Sequence, residues 1–299
     1  MKPLKIVLPD GSMQETITKL LAKAGLEVIV EKKRTKEGKI NVPWIERVFF
    51  QRPQETSIFL VKGYFDLGIV GEDWIANCEF LPGCEPPILL KLPVGRNGNR
   101  AVKIVLAVRE DSGFKSIQEL PERCEVATEY VDLTKTFFLK QGRRDIKVVY
   151  SYGNTEQKIQ FGASAIVDVT ESGESLRENG LIAISELMES NTVLVANQTS
   201  YSDVEKRPYI DCLVALLNGA YQASRYVMLT ANVPEKVINE ASKIIGGLKG
   251  ASRSPLMIER WFALQSIVLR ENEQDIIFKL LQIGVTDIIV NRDIPLIMT

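Results

Sequence analysis

The stretch Ala165–Gly180, AIVDVTESGESLRENG, sets an apolar run against a turn of small hydroxyl residues and then a polar, helix-like segment. Ala165–Val169 reads as a strand. Thr170, Glu171, Ser172, Gly173, Glu174 and Ser175 form the turn, and Leu176-Arg177-Glu178 begins a helix. Such a turn exposes several backbone N–H groups at one point. With its hydroxyls and the positive end of the helix, it makes a cradle for a phosphate. Gly173 permits a positive φ and the close approach of an anion. Asp168, at the strand's end, is placed to hold ribose hydroxyls, as carboxylates do in dinucleotide folds. The same residues also read as an ordinary helix start with Ser172 as cap, and the acidic Glu171 and Glu174 weigh against a phosphate. The segment alone leaves both readings open.

Outward from it, short apolar runs alternate with helix-period segments. Lys5–Leu8, Glu27–Val30, Phe65–Val70, Val102–Val108, Val126–Thr128 and Lys147–Tyr150 read as strands, and Gln14–Ala24 and Leu133–Lys140 as helices. This alternation predicts an α/β fold of mostly parallel sheets covered by helices on both faces. Ser116–Lys140 belongs to a second small lobe, and Val193–Ala196 rejoins the first, leaving a cleft between them. Asp203–Arg225 reads as one amphipathic helix with Ile210, Leu213, Val214, Leu217 and Tyr221 on one stripe. Then come a strand at Tyr226–Ala231, a helix from Pro234 to Ile245 with the proline early in it, and an extended piece near Ser254–Leu256. A strand at Trp261–Leu269, a helix at Asn272–Ile283 and a strand at Asp287–Val290 complete a β-α-β-β-α-β order, which is ferredoxin-like (ACT-like). The expected division is residues 1–101 plus 190–225 as lobe I, 102–189 as lobe II carrying the turn, and 226–299 as the ferredoxin-like unit.

The 299 residues carry 37 Lys and Arg against 38 Asp and Glu, a net charge of -1, so no broad electrostatic grip on nucleic acid is expected. Histidine is absent. That excludes imidazole bases, Ser-His-Asp and Cys-His nucleophile systems and His-ligated zinc. Chemistry must run on carboxylates, hydroxyls, lysines, arginines, backbone amides or a bound ion. Cys78, Cys84, Cys124 and Cys212 form no CxxC pair. Cys78 and Cys84 flank Gly83 and can pair if oxidised; the plainer expectation is reduced side chains in a cytosolic protein. The start, MKPLKIVLPDGS, lacks the long apolar region of a signal peptide, and no apolar stretch approaches the roughly 20 residues that cross a bilayer. A cytoplasmic protein that touches neither nucleic acid nor membrane is expected.

Residues Asp168–Leu176 resemble the phosphoribosyl-diphosphate loop of the ATP phosphoribosyltransferase family, D-[LIV]-x-x-[ST]-G-x-T-[LM], with Ser175 in place of the threonine and keeping its hydroxyl. KGYFDLGIVGEDWI (Lys62–Ile75) is similar to the family's G-x-x-D-L-G-I-T-G-x-D-W segment. ATEYVDLTKTFF (Ala127–Phe138) is similar to A-T-x-x-x-x-L-T-x-x-[YF], and RPQE (Arg52–Glu55) to R-x-Q-[DE]. YVMLTANVP (Tyr226–Pro234) and the later SPL (Ser254–Leu256) look like the regulatory domain of the family's long form. The resemblance runs in order along nearly the whole chain.

It implies a two-lobed core like that of periplasmic binding proteins, with an ACT-like regulatory domain. It also implies transfer of the phosphoribosyl group from phosphoribosyl diphosphate to N1 of ATP, releasing pyrophosphate, as the first step of histidine biosynthesis. Mg²⁺ as cofactor, feedback inhibition by histidine and a homo-hexamer are implied with it. Such a reaction needs alignment and charge neutralisation but no covalent nucleophile, so the lack of histidine is no obstacle. By the resemblance Asp168, Thr170, Glu171, Ser172, Gly173, Glu174 and Ser175 hold the phosphoribosyl diphosphate. Asp168, Glu72 and Asp73 are the catalytic candidates, the last two orienting magnesium-bound diphosphate or a ribose; their own sequence context reads equally as a helix N-cap beside a buried Trp74. Gly11, Ser12 and Arg52 are candidates for ATP, Arg52 reading otherwise as half of a surface ion pair. Asn232, in the loop after a strand, with Ser252 and Thr286, are the histidine contacts; metal ligands stay unassigned.

Two departures from the family pattern stand out. Pro9-Asp10-Gly11-Ser12 replaces P-K-G-R or P-K-G-S, so an aspartate stands where a lysine would face phosphate. Gly250-Ala251-Ser252-Arg253 stands where S-P-T-V is common. The competing readings are a small-molecule-binding or amino-acid-sensing protein on the same fold, or a diverged phosphoribosyltransferase.

Overall fold

The computed structural model describes residues 2–30, 36–80, 85–92, 94, 101–292 and 294. The chain divides into two compact units, Met1–Lys19 with Leu26–Val214, and Leu20–Gly25 with Ala215–Thr299.

In chain order the first stretch contributes β1 (Leu4–Pro9), α1 (Gln14–Lys23), β2 (Val28–Ile29), β3 (Glu37–Ile40), β4 (Ile45–Gln51), α2 (Pro53–Val61), β5 (Leu67–Gly71), α3 (Glu72–Ala76) and β6 (Ile88–Leu92). Next come β7 (Val102–Arg109), β8 (Glu125–Thr128), α4 (Val131–Lys140), β9 (Lys147–Tyr150), β10 (Ala165–Thr170), α5 (Glu174–Glu178) and β11 (Leu181–Ser190). The chain then returns through β12 (Thr192–Ala196) to α6 (Gln198–Ser202) and α7 (Arg207–Ala223).

The first unit holds a seven-stranded sheet ordered β2-β3-β4-β1-β5-β12-β6 and a five-stranded sheet ordered β11-β7-β10-β8-β9. The return of the chain is visible in the first of these, because β12 lies between β5 and β6. The sheets are mixed, correcting the expectation of mostly parallel pairing. Only β1/β4, β1/β5, β10/β8 and β8/β9 run parallel among the described strands. β11 and β12 come back antiparallel against β7 and β5, β10 also runs against β7, and β2, β3 and β4 pair as an antiparallel meander. Apolar, β-branched runs make the inner strands, with Ile104, Leu106, Val108, Val126 and Val167 joining Phe138 in one core.

The single helix expected over 203–225 is α7, one unbroken helix that begins four residues later, at Arg207, after a short helix at Gln198–Ser202. Asn197 caps α6 by accepting from the Ser200 amide at 2.9 Å. Asp203 then accepts from the Glu205 amide at 2.8 Å, a local turn that takes the chain off the helical path before α7.

The second unit contains β13 (Tyr226–Pro234), α8 (Ile238–Ile245), β14 (Ser252–Pro255), β15 (Trp261–Leu269), α9 (Glu273–Gln282) and β16 (Thr286–Asn291). Its sheet is ordered β14-β15-β13-β16 with antiparallel pairings, the ferredoxin-like arrangement. Val227, Leu229, Ala231 and Val233 alternate inward along β13 and join Ile238, Ala241, Ile276 and Leu280 of α8 and α9. Pro234 closes β13 with ψ 147° and precedes a 3₁₀ turn, rather than starting the helix, because extended ψ keeps it on the strand.

Cys84 lies outside the described residues, so its pairing with Cys78 is not addressed; Cys78, Cys124 and Cys212 are free thiols. No helix among the described residues is long and apolar enough to cross a membrane.

Candidate active site

In the five-stranded sheet, β10, β8 and β9 run parallel with Val167 opposite Thr128 and Thr128 opposite Tyr150. Their carboxyl ends therefore finish side by side. In the seven-stranded sheet Pro9 of β1 lies opposite Gln51 of β4. The turns after these strands line one cavity of about 1180 Å³, as expected at the carboxyl ends of strands in α/β folds.

The first sheet contributes Asp10, Gly11, Ser12 and Arg52 to the lining. Gly11 takes φ +83°, which an L side chain resists. Arg52 precedes α2, with Pro53 in the first helical turn. Lys36 pairs with Asp10 at 2.5 Å. That bond holds the Asp10 carboxyl below its ordinary range against partial burial, with the Gly11 amide and the Arg52 charge adding to it. The aspartate at the first turn thus brings a lysine with it, which balances its charge at the cavity's edge.

The second sheet contributes Asp168, Thr170, Glu171, Ser172, Glu174 and Ser175. Gly173 itself is not among the lining residues, but it sets the turn's shape. It is the N-cap of α5 with φ +75°, and a Cβ there would meet Arg177 Nη1 at 3.1 Å. The hydroxyls fold the turn inward: Thr170 Oγ1 accepts from the Gly173 amide at 2.8 Å, and Ser172 Oγ from the Glu174 amide at 3.3 Å. Ser175 Oγ donates to Glu156 Oε1 at 2.8 Å. Glycine, not Ser172, is the cap. With α5 only five residues long, the turn's hydroxyls, which already accept from the Gly173 and Glu174 amides, rather than a helix dipole, are what it offers an anion. Asp168 Oδ1 accepts from the Val169 amide at 2.7 Å.

Asp73 lines the cavity with both oxygens engaged. Tyr130 OH donates to Oδ2 at 2.8 Å and Ser190 Oγ to Oδ1 at 2.7 Å. The carboxylate curls back over Gly71, where a Cβ would stand 2.0 Å from Oδ1. Burial first, then Asp73, push the Tyr130 phenol well above its usual range. Glu72 does not line the cavity. It pairs with Lys91 at 2.7 Å and accepts from the Asn191 amide and Nδ2, each at 3.0 Å. Asp73 thus stands at the cavity and Glu72 beside it, each bonded to the chain's own groups. Trp74 is half-buried, not buried, and its ring lies against Tyr130 at 4.4 Å.

Sequence reasoning passed over Glu129, Tyr150, Tyr152 and Glu156, which also line the cavity. Gly153-Asn154 after an apolar strand was the available signal for this loop. Nothing in the spacing marks the acids; parallel register brings them in. No group of three His, Cys, Asp or Glu that could hold a metal is found among the described residues. The hard oxygens of Asp168 and Glu171 suit a magnesium ion that arrives on substrate phosphates, since this ion commonly takes one or two carboxylates besides.

In the second unit Asn232 lies within β13, not in a loop, and pairs across the ladder with Thr286. Asn232 Nδ2 donates to Asp287 Oδ2 at 3.2 Å, and Thr286 Oγ1 to the same oxygen at 3.4 Å. Ser252 is two strands away, opposite Gln265, so it is not brought to this cluster.

Two α/β sheets around a polar cleft, with a glycine-capped anion turn on one side and an arginine on the other, define a phosphate- and nucleotide-handling enzyme. The family profile described as ATP phosphoribosyltransferase matches residues 52–219, and that of the HisG C-terminal domain matches residues 223–292. The ATP phosphoribosyltransferase of Desulforudis audaxviator is 35% identical over 98% of this chain and 99% of its own. That of Chlorobium phaeobacteroides is 36% identical over 94% and 93%. Among solved structures, the ATP phosphoribosyl transferase (HisG:HisZ) complex from Thermotoga maritima superposes with a TM-score of 0.61 at 25% identity, over 73% of this chain and 98% of that one. The chain belongs to the ATP phosphoribosyltransferase family, in its long form with a C-terminal domain.

Proposed function

We propose that this cleft transfers the phosphoribosyl group of phosphoribosyl diphosphate to N1 of ATP, opening histidine biosynthesis. The observation that supports this most is the Thr170–Ser175 turn facing the cavity that Arg52 and the 10–12 turn also line. In the reaction the bond from C1 to the diphosphate oxygen breaks, its electron pair leaves with pyrophosphate, and N1 supplies the pair for the new C–N bond. The turn's hydroxyls take the 5-phosphate, and Asp168 takes the ribose hydroxyls beside C1. Gly11, Ser12 and Arg52 take the ATP phosphates. Asp168 and Glu171 are the residues that would face Mg²⁺, which would supply charge neutralisation of the diphosphate. Asp73 is a positioning residue that ties Tyr130 and Ser190 together; Glu72 does the same for Asn191.

The lobes we assign are residues 1–101 plus 190–225 and residues 102–189, with 226–299 as the regulatory unit. Histidine binds, on this reading, at Asn232 and Thr286, where Asp287 offers an acceptor to its ammonium group, and shifts a two-state hinge between lobes. A cytoplasmic homo-hexamer is the assembly. The test is a spectroscopic assay of ATP phosphoribosylation with and without histidine. Pyrophosphate release only when both substrates are present is expected; none at all overturns the reading.

A further inference from the structure

We propose that Tyr152, backed by Tyr150, is the wall on which the adenine of ATP stacks. Tyr152 is 92% exposed although it lines the cavity. An aromatic ring so exposed contributes nothing to a core, and its two faces are its only asset. Tyr150, 48% exposed, meets it edge-on with ring centroids 4.7 Å apart and planes 80° apart. The pair forms a shelf just past the end of β9.

Three features say what the shelf holds. First, charge: among the described residues lining the cavity, Arg52 is the sole cation. A nucleotide's phosphates are drawn to it, and the two uncharged rings leave a face for its flat base. Second, position: Tyr150 is two strands from Val167, the residue before Asp168. At ordinary strand spacing that is about 10 Å, roughly the reach of a ribose and a purine end to end. Third, the neighbour: Arg52 stands close enough for its charge to oppose the upward shift that partial burial gives the Tyr150 phenol. One nucleotide can therefore lay its base on the shelf and its phosphates toward Arg52. Stacking tolerates any π-face, so the shelf orients the base and leaves its edge free for attack through N1.

The inference rests on the transfer reading above, and the experiment separates the two. In the full chain, Tyr152→Ala and Tyr152→Phe are compared by initial rates, each substrate varied in turn, and by calorimetry with ATP alone. Expected is a rise in KM for ATP of roughly tenfold for the alanine variant, the scale of a lost base stack, with a matching loss of ATP affinity. KM for phosphoribosyl diphosphate stays unchanged, and phenylalanine restores wild-type values, because the ring and not the hydroxyl is used. An unchanged ATP affinity in Tyr152→Ala, an equal rise for both substrates, or a phenylalanine variant as impaired as the alanine one overturns the shelf. Absence of turnover by the unaltered protein would sink the transfer reading instead, while calorimetry still decides the shelf.

Discussion

Tyr130 donates its hydroxyl to Asp73 at 2.8 Å across a separation of 57 residues, joining the start of α4 in the five-stranded half to α3 in the seven-stranded half. Asp73 is 5% exposed, so neither water nor salt substitutes readily for the bond. Asn77, also beyond the Gly71 turn, accepts from the Asp132 and Leu133 amides at 3.1 Å each and so caps α4 from the opposite half. Tyr130→Phe keeps the ring beside Trp74 but orphans a buried carboxylate oxygen. A loss of about 1–3 kcal/mol in urea unfolding is expected; an unchanged midpoint would show the bond to be dispensable.

Gly173→Val should abolish turnover with folding intact. The turn needs φ +75° there, and the added side chain runs into Arg177. With the cradle distorted, kcat should fall by on the order of 10²-fold or more, the scale of losing preorganised donors, while circular dichroism is unaltered. Normal turnover would refute the cradle.

Lys36→Met removes the partner of Asp10 and leaves a negative charge at the ATP side of the cavity. KM for ATP is expected to rise a few-fold, roughly the size of a partly exposed pair, and less at high salt. Asp10→Asn added to Lys36→Met should restore it. No recovery in the double variant would mean that Lys36 acts on its own.

Glu72 titrates below the usual carboxylate range: burial alone would raise it, but the bonds from Lys91 and Asn191 outweigh that. The folded pKa then lies under the unfolded one, so between them the unfolded chain binds more protons. Stability is present above the ordinary carboxylate pKa and is lost as pH falls through the folded value. Glu72→Gln should flatten the acid side of a stability–pH profile measured by urea unfolding; an identical slope would contradict this.

Asn232→Ala should raise the histidine concentration for half-inhibition by roughly tenfold, one hydrogen bond to a charged group, without changing uninhibited turnover. Unchanged inhibition would move the effector elsewhere.

The segment from β10 to α5 was legible because the period switches from two to that of a helix around a glycine. The ferredoxin-like order was legible because β13 alternates without a break. By contrast β11, a ten-residue strand, escaped notice. Register shifts at Ala183/Ser185 and at Glu186/Met188 break its alternation, so no two-residue period survives in the sequence. Helix α2 hid for another reason: its apolar residues are not gathered on one face, and Ile58 and Val61 stay exposed. The four cavity residues Glu129, Tyr150, Tyr152 and Glu156 share no motif, and only the parallel alignment of β8, β9 and β10 gathers them.

The place of β12 carries a consequence for biosynthesis on the ribosome. Leu194 must find Ile69 and Leu90, which emerge from the exit tunnel long before it. Until then β5 and β6 have an unfilled gap between them, a sticky edge open to wrong neighbours. The five-stranded half is complete as a segment before the seven-stranded half can close. Order of synthesis therefore favours the later-made piece maturing first, and the nascent chain is most exposed to aggregation in the interval before residue 196 is released.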